Sequence, residues 1–218
     1  MKKLFIFDFD GTLFNTIGQL VHNMNQALKA NGFRELTLDD YKLAVGGNLN
    51  QVISNVLQSD SNPDNIESVK KSYLDIVKDF EDNITLPFDG IEEILTYLQD
   101  NNIQLAINSN RYTPSIEFYV KKFLNNIKFL DIQGHNPPNP SKPDAYGINQ
   151  ILNKTSIDKK DVVYVGDSPT DIKTAKNAGI DCIIVTWGYA DYDLIDDDYI
   201  LKTISEPGQL KDVIRLSN

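Results

Sequence analysis

Short apolar runs that end on polar residues recur along this chain, and their spacing constrains the fold more than any other feature. Leu4 to Phe7, Ile103 to Ile107, Val162 to Val165 and Cys182 to Val185 are such runs. At this length they read as strands buried on both faces of a sheet, since helices need roughly ten residues or more. Between them apolar residues recur at helical spacing, as in Ile91, Ile94, Leu95 and Leu98, or Ile116, Tyr119, Val120 and Phe123. A strand over about Lys128 to Ile132, and helices marked by Tyr146, Ile148, Ile151 and Leu152 and by Ile172, Ala175 and Ala178, continue the series. A C-terminal helix with Leu210, Val213 and Ile214 closes it. Parallel strands need a long crossover, which a helix supplies, so this alternation predicts a parallel sheet with helices on both faces.

The alternation is interrupted once. Ile17, Leu20, Val21, Met24 and Leu28 mark a helix that Asn31-Gly32 closes. Thr37, with Asp40 three residues on, caps a short helix to Val45. Gly46-Gly47-Asn48 breaks it, and Leu49, Val52, Ile53, Val56 and Leu57 mark a third. Pro63 opens a fourth, with Ile66, Val69, Tyr73, Val77 and Phe80 on its inner face. Four helices without a strand between them read as an inserted all-helical domain over 15–84, set into a core of 1–14 and 85–218.

The length of 218 residues suits a core plus a smaller insert, and 41% apolar residues suffice for a packed interior. The formal charge is 21 − 31 = −10, which argues against nucleic acid and anionic membranes as partners. A site for small anions would then need its own positive charge, which a metal ion and one lysine could supply. No stretch approaches the ~20 apolar residues of a membrane span, and the run after Met1-Lys2-Lys3 is too short for a signal peptide. The one cysteine, Cys182, reads as a buried strand residue in a reducing, cytoplasmic compartment. Nothing here decides between monomer and homodimer.

The strand ends carry the chemistry. Leu4 to Phe7 stops at Asp8-Phe9-Asp10-Gly11, and alternation along an extended chain sends both carboxylates to one side. Such a pair favours a cation between them or a shared proton, although Asp and Gly also make ordinary turns. Asn108-Ser109-Asn110 follows a second strand, Lys142-Pro143 precedes a helix, and Gly166-Asp167-Ser168-Pro169-Thr170-Asp171 follows a third. In open α/β sheets, ligands bind at these carboxyl ends.

With these four motifs in order, the sequence resembles the haloacid dehalogenase superfamily of phosphohydrolases over nearly its full length. Within it, the chain looks most like the phosphoglycolate phosphatase group with a small helical cap, and Thr186-Trp187-Gly188-Tyr189 is also typical of that group. The resemblance implies a Rossmann-like core, a cap domain and a small phosphorylated metabolite as substrate.

Hydrolysis of a phosphate monoester needs a nucleophile, charge neutralisation and a proton for the leaving oxygen. Asp8 is the candidate nucleophile, giving an aspartyl-phosphate, and Asp10 the candidate general acid and base. The resemblance implies the same roles and adds the Asp10 backbone carbonyl as a metal ligand. Asp167 is the candidate second carboxylate for Mg²⁺, which prefers hard oxygens in an octahedral shell. Asp171 could hold a metal-bound water or the Lys142 ammonium, or act as a first-turn helix acid. Ser109, with the Asn110 and Gly11 amides, could surround the phosphate, and Lys142 supplies positive charge.

Core motifs recognise only phosphoryl oxygens, so a substrate must be chosen by elements closing over them. Gly46-Gly47-Asn48 is the candidate, against an ordinary helix turn, with Arg34 and Arg111 as alternative carriers of specificity. His22 and His135 read as surface residues, and Asp191, Asp193, Asp196, Asp197 and Asp198 as a solvated loop. Asn15-Thr16 departs from the resembling family, many of whose members carry an Asp there, and is expected to affect the local hinge. A beta-phosphoglucomutase-type mutase shares all four motifs, but that group has a cap histidine where this chain has Leu20. A pyrophosphatase or nucleotidase remains open. A phosphorylation-dependent binding module is a further alternative, disfavoured by the helical insert.

Overall fold

The computed structural model describes residues 1–78, 84–190 and 197–215. Phe80, expected on the fourth helix, and Asp191, Asp193 and Asp196 of the acidic loop lie outside the described residues. Six strands form one parallel sheet: β1 (Leu4–Phe7), β4 (Gln104–Asn108), β5 (Phe129–Gln133), β6 (Val162–Gly166), β7 (Asp181–Val185) and β8 (Ile200–Ile204). Their order is β5-β4-β1-β6-β7-β8. β1 is therefore central, and the chain builds outward from it first on one side and then on the other. Phe7 pairs with Ile107 of β4 and with Val165 of β6, so the three strands end nearly flush. That register brings Asp8, Asn108-Ser109 and Gly166-Asp167 to one edge.

Alternation along the strands makes two apolar layers. Phe5, Phe7, Leu105, Ile107, Val163 and Val165 pack on one face with α5 (Ile91–Asp100), α6 (Thr113–Phe123) and α9 (Leu210–Val213). Leu4, Ile6, Val162, Tyr164, Cys182 and Ile184 pack on the other with α7 (Tyr146–Leu152) and α8 (Pro169–Ala178). Burying each large side chain contributes about 1.5–3 kcal/mol, so a one-residue slip of β1 would exchange both layers at once.

The four-helix run is present as α1 (Ile17–Ala30), α2 (Leu38–Ala44), α3 (Leu49–Leu57) and α4 (Pro63–Val77). These helices share their own cluster, including Met24, Leu28, Tyr41, Ile53, Val56 and Val69. The Thr37–Asp40 pair forms a full capping box at α2, and Asn48 with Gln51 forms another at α3. Two features escaped the sequence pattern. A two-stranded antiparallel ladder, β2 (Phe14–Asn15) with β3 (Leu86–Pro87), joins the chain on either side of the helical run. β8 is an edge strand added beside β7.

Candidate active site

Lys142 organises the carboxyl edge of the sheet. Its Nζ lies 2.8 Å from Asp8 Oδ1 and 2.8 Å from Asp171 Oδ1 and donates to the Tyr164 hydroxyl at 3.2 Å. Tyr164 in turn donates to the Asn108 carbonyl at 2.7 Å. The Asn110 side chain grips the Lys142 main chain, accepting from its N–H at 2.7 Å and donating to its carbonyl at 3.2 Å. Three residues, Asp8, Tyr164 and Asp171, thus meet on one ammonium.

Asp171 performs both duties that its sequence position suggested. Its Oδ1 faces Lys142, while its Oδ2 accepts from the Asp167 and Ser168 amides and the Ser168 hydroxyl, the hydroxyl at 2.7 Å. With both oxygens engaged, it is a support for Lys142 and for the start of α8. Asp8 and Asp167 differ. Phe9 N–H donates to Asp8 Oδ1 at 2.7 Å, and Tyr189 N–H to Asp167 Oδ2 at 2.9 Å. Asp8 Oδ2 and Asp167 Oδ1 have no protein partner among the described residues.

One carboxylate oxygen from each of Asp8, Asp167 and Asp171 lies within 4.8 Å of the other two, and all three residues are buried. Three carboxylates against one ammonium leave a formal charge of −2. Burial, and then the neighbouring acids Asp171 and Asp10, push Asp8 up to about 7 despite Lys142. Burial, with Asp171 and Asp8, also raises Asp167 well above the usual carboxylate range. For Lys142, burial favours the neutral form, but Asp171 and Asp8 outweigh it and hold the ammonium well above its ordinary value. Hard oxygen donors with unbalanced negative charge fit Mg²⁺.

Gly11 takes a different part from the one expected. Its amide donates to the Phe14 carbonyl at 2.9 Å, so it does not face a phosphate in this conformation. Its φ is +77°, and a Cβ here would lie 2.3 Å from Asp167 Oδ2. A Cβ on Gly188 would lie 2.4 Å from the same oxygen. The two glycines are the walls that let Asp167 reach the site. Ser109 sits at the end of β4 as expected, buried, with its hydroxyl accepting from the Arg111 amide at 3.3 Å.

Asp10 stands apart from the lysine cluster. Its Oδ1 accepts from Arg111 Nη1 at 2.9 Å, a pairing across 101 positions of sequence. Arg111 Nη2 also donates to Gln19 of α1 at 2.8 Å. The Gly46-Gly47-Asn48 loop touches the sheet domain through Asn48, whose Nδ2 donates to Ser141 Oγ at 3.2 Å, next to Lys142. The Tyr189 hydroxyl reaches the other junction, accepting from the Thr16 and Ile17 amides and lying 3.3 Å from Asn15 Oδ1. Asn15-Thr16 is therefore tied to the Trp187-Gly188-Tyr189 turn. His22 bonds to Gln26 on the surface of α1, and His135 to the Asn139 carbonyl. Neither enters the cluster.

This arrangement of strand-end carboxylates, lysine and serine has a family. A family model for haloacid dehalogenase-like hydrolases matches residues 5–185, and the chain belongs to that family. A phosphoglycolate phosphatase of Vibrio vulnificus (strain YJ016) is 27% identical over 227 residues, covering 99% of this chain and 97% of that protein. One from Agrobacterium fabrum is 29% identical over 199 residues, covering 90% and 85%. Among solved structures, a proposed phosphoglycolate phosphatase from Lactobacillus delbrueckii superposes with a TM-score of 0.89 at 23% identity, covering 98% of this chain and 99% of that one. CbbY from Rhodobacter sphaeroides, solved with phosphate, gives 0.79 at 19% identity, covering 96% of each. These likenesses establish the fold. No helix among the described residues is long and apolar enough to cross a membrane.

Proposed function

We propose that this hydrolase is a Mg²⁺-dependent phosphatase of small phosphate monoesters of the phosphoglycolate kind, working through an aspartyl-phosphate on Asp8. The observation that carries the reading is the buried cluster of Asp8, Asp167 and Asp171 around Lys142, with its formal charge of −2. Phosphoglycolate phosphatases among the relatives support the substrate class.

Asp8 and Asp167 would hold Mg²⁺, joined by the Asp10 carbonyl that the family resemblance adds. The ion would neutralise the carboxylates and the phosphoryl oxygens. Asp8 attacks phosphorus, the ester P–O bond breaks, and Asp10 gives its proton to the leaving oxygen. Asp10 then takes a proton from the water that opens the acyl phosphate, which returns Asp8 and releases phosphate. Lys142 orients Asp8 and offsets charge on the phosphoryl group, and the Ser109 hydroxyl and Asn110 amide donate to it. Residues 15–84 act as a cap on the core of 1–14 and 85–218, with Gly46-Gly47-Asn48 facing the substrate. Leu20 packs with the α1–α4 cluster, so the position of the mutase histidine carries no proton here, which favours hydrolysis. The single buried thiol, Cys182, suits a cytoplasmic setting.

A panel of small phosphate esters tests this. Turnover should require Mg²⁺, vanish with a chelator and favour phosphoglycolate. Full activity in excess chelator would refute the metal assignment, and no turnover of any ester with Mg²⁺ present would refute the phosphatase reading.

A further inference from the structure

Arg111 is unusually well fixed for a residue that no motif singles out. Its guanidinium lies 5.5 Å from the Phe9 ring centroid and 5.1 Å from that of Tyr119. Nε donates to Ser115 Oγ at 2.7 Å, Nη2 to Gln19 Oε1 at 2.8 Å and Nη1 to Asp10 Oδ1 at 2.9 Å. A guanidinium has five N–H donors, so three are used and two remain. Both side chains keep some exposure, 17% for Arg111 and 33% for Asp10. Arg34, the other arginine considered for specificity, donates to Gln58 within the helical unit at 3.4 Å.

We propose that Arg111 recognises a carboxylate one carbon from the ester oxygen, so that the enzyme selects phosphate esters of 2-hydroxy acids. This rests on the phosphatase reading above and names the residue that chooses the substrate. A general acid must lie within hydrogen-bond reach of the leaving oxygen. A substituent one carbon beyond that oxygen then falls beside the guanidinium that pairs with Asp10. A planar fork matches a carboxylate in two parallel hydrogen bonds, and the flanking rings hold it in place before the ligand arrives. The incoming carboxylate takes the two spare N–H groups and competes with Asp10 for the third. Gln19 carries the same fork into α1, so the helical unit senses the exchange.

The test compares phosphoglycolate with ethyl phosphate, which lacks the carboxylate, in the wild type, Arg111→Leu and Arg111→Lys. In Arg111→Leu, kcat/KM for phosphoglycolate should fall about 100-fold more than that for ethyl phosphate, whose own change reports the loss of the Asp10 partner alone. Arg111→Lys keeps the charge without the fork and should recover only part of the loss. Equal losses on both esters would overturn the proposal and make Arg111 a structural residue. If the leucine variant does not fold, the wild type decides by calorimetry with Mg²⁺. It should bind 3-phosphonopropionate, in which CH2 replaces the ester oxygen, about 100-fold more tightly than propylphosphonate, and equal affinities would overturn the proposal. Failure of the wild type to hydrolyse any ester would bring down the phosphatase reading, whereas hydrolysis with equal losses brings down this inference alone.

Discussion

The carboxyl edge of the sheet and the junction with the helical unit hold their polar groups in opposite ways. At the edge, Asp8, Lys142, Asp167 and Asp171 are buried and linked by several short contacts each, so moving one disturbs all. At the junction, more exposed residues bridge the two parts, as in Asn48 with Ser141 and the Tyr189 hydroxyl with the Thr16 and Ile17 amides. Arg111 lies between these extremes, with a fixed guanidinium and an open face. Preorganised charge suits a phosphoryl group, which is common to all candidate substrates, and the more exposed contacts suit the cap role proposed for the helical unit.

Replacing Lys142 should break the rigid region most severely. Lys142→Met leaves three buried carboxylates without their ammonium, and loss of one partner of a buried pair costs about 3–5 kcal/mol. Turnover should fall on the order of 10³-fold in whatever fraction remains folded. Thermal unfolding and steady-state kinetics check the two effects, and near-normal values for both would mean that the cluster is solvated in solution. Gly11→Ala comes next. It forces a side chain into left-handed backbone at a cost of about 1–2 kcal/mol, and it displaces Asp167. The Mg²⁺ concentration for half-maximal rate should rise about tenfold or more. An unchanged metal requirement would remove Asp167 from the ligand set.

The pH response sharpens the same point. The folded Asp8 titrates near pH 7, above the ordinary carboxylate value. Metal-free protein therefore retains a proton that the unfolded chain loses from about pH 4 upward, and its stability contribution from this group falls as pH rises toward 7. Mg²⁺ takes the place of that proton, so the rise in Tm on adding Mg²⁺ should be small at pH 5 and grow toward pH 8. An equal rise at both pH values would place the ion elsewhere.

The smallest effect belongs to the junction. Asn48→Ala removes the contact to Ser141, and its loss as an N-cap costs about 1 kcal/mol. Gln51→Ala breaks the same capping box while leaving Asn48, and so separates the two effects. The Asn48 variant should lose a few-fold in kcat/KM for phosphoglycolate and less for p-nitrophenyl phosphate, whereas Gln51→Ala should lose stability only. Equal kinetic losses in the two variants would mean that only the cap of α3 matters. Gly47→Val is a poor probe, because its Cβ would lie 2.1 Å from Gln51 Oε1 and would break that cap.

The same contrast explains what could be read from the residues alone. β1, β6 and β7 are apolar runs buried on both faces, and such strands announce themselves. β8 reads Ile-Leu-Lys-Thr-Ile and is only half-buried at the sheet edge, so neither a continuous apolar run nor a clean alternation marks it. β2 and β3 have two residues each, too few for any period. The lysine cluster was legible because its members sit at strand ends and in recognisable motifs. The Asp10–Arg111 pair spans 101 positions, so Arg111 could be named for specificity but its pairing with the acid shows only in the fold. At Gly11, sequence shows that the residue is small, but not that Asp167 is the neighbour that needs the space.

The covalent role of Asp8 is the central claim, and trapping the phosphoenzyme tests it most directly. Wild-type protein mixed with ³²P-labelled phosphoglycolate and Mg²⁺, quenched in acid within milliseconds and digested, should yield label on the peptide containing Asp8. The label should be lost at alkaline pH, as expected of an acyl phosphate, and be absent from a folded Asp8→Asn protein. Substantial turnover by Asp8→Asn, or label on any other peptide, would contradict the account.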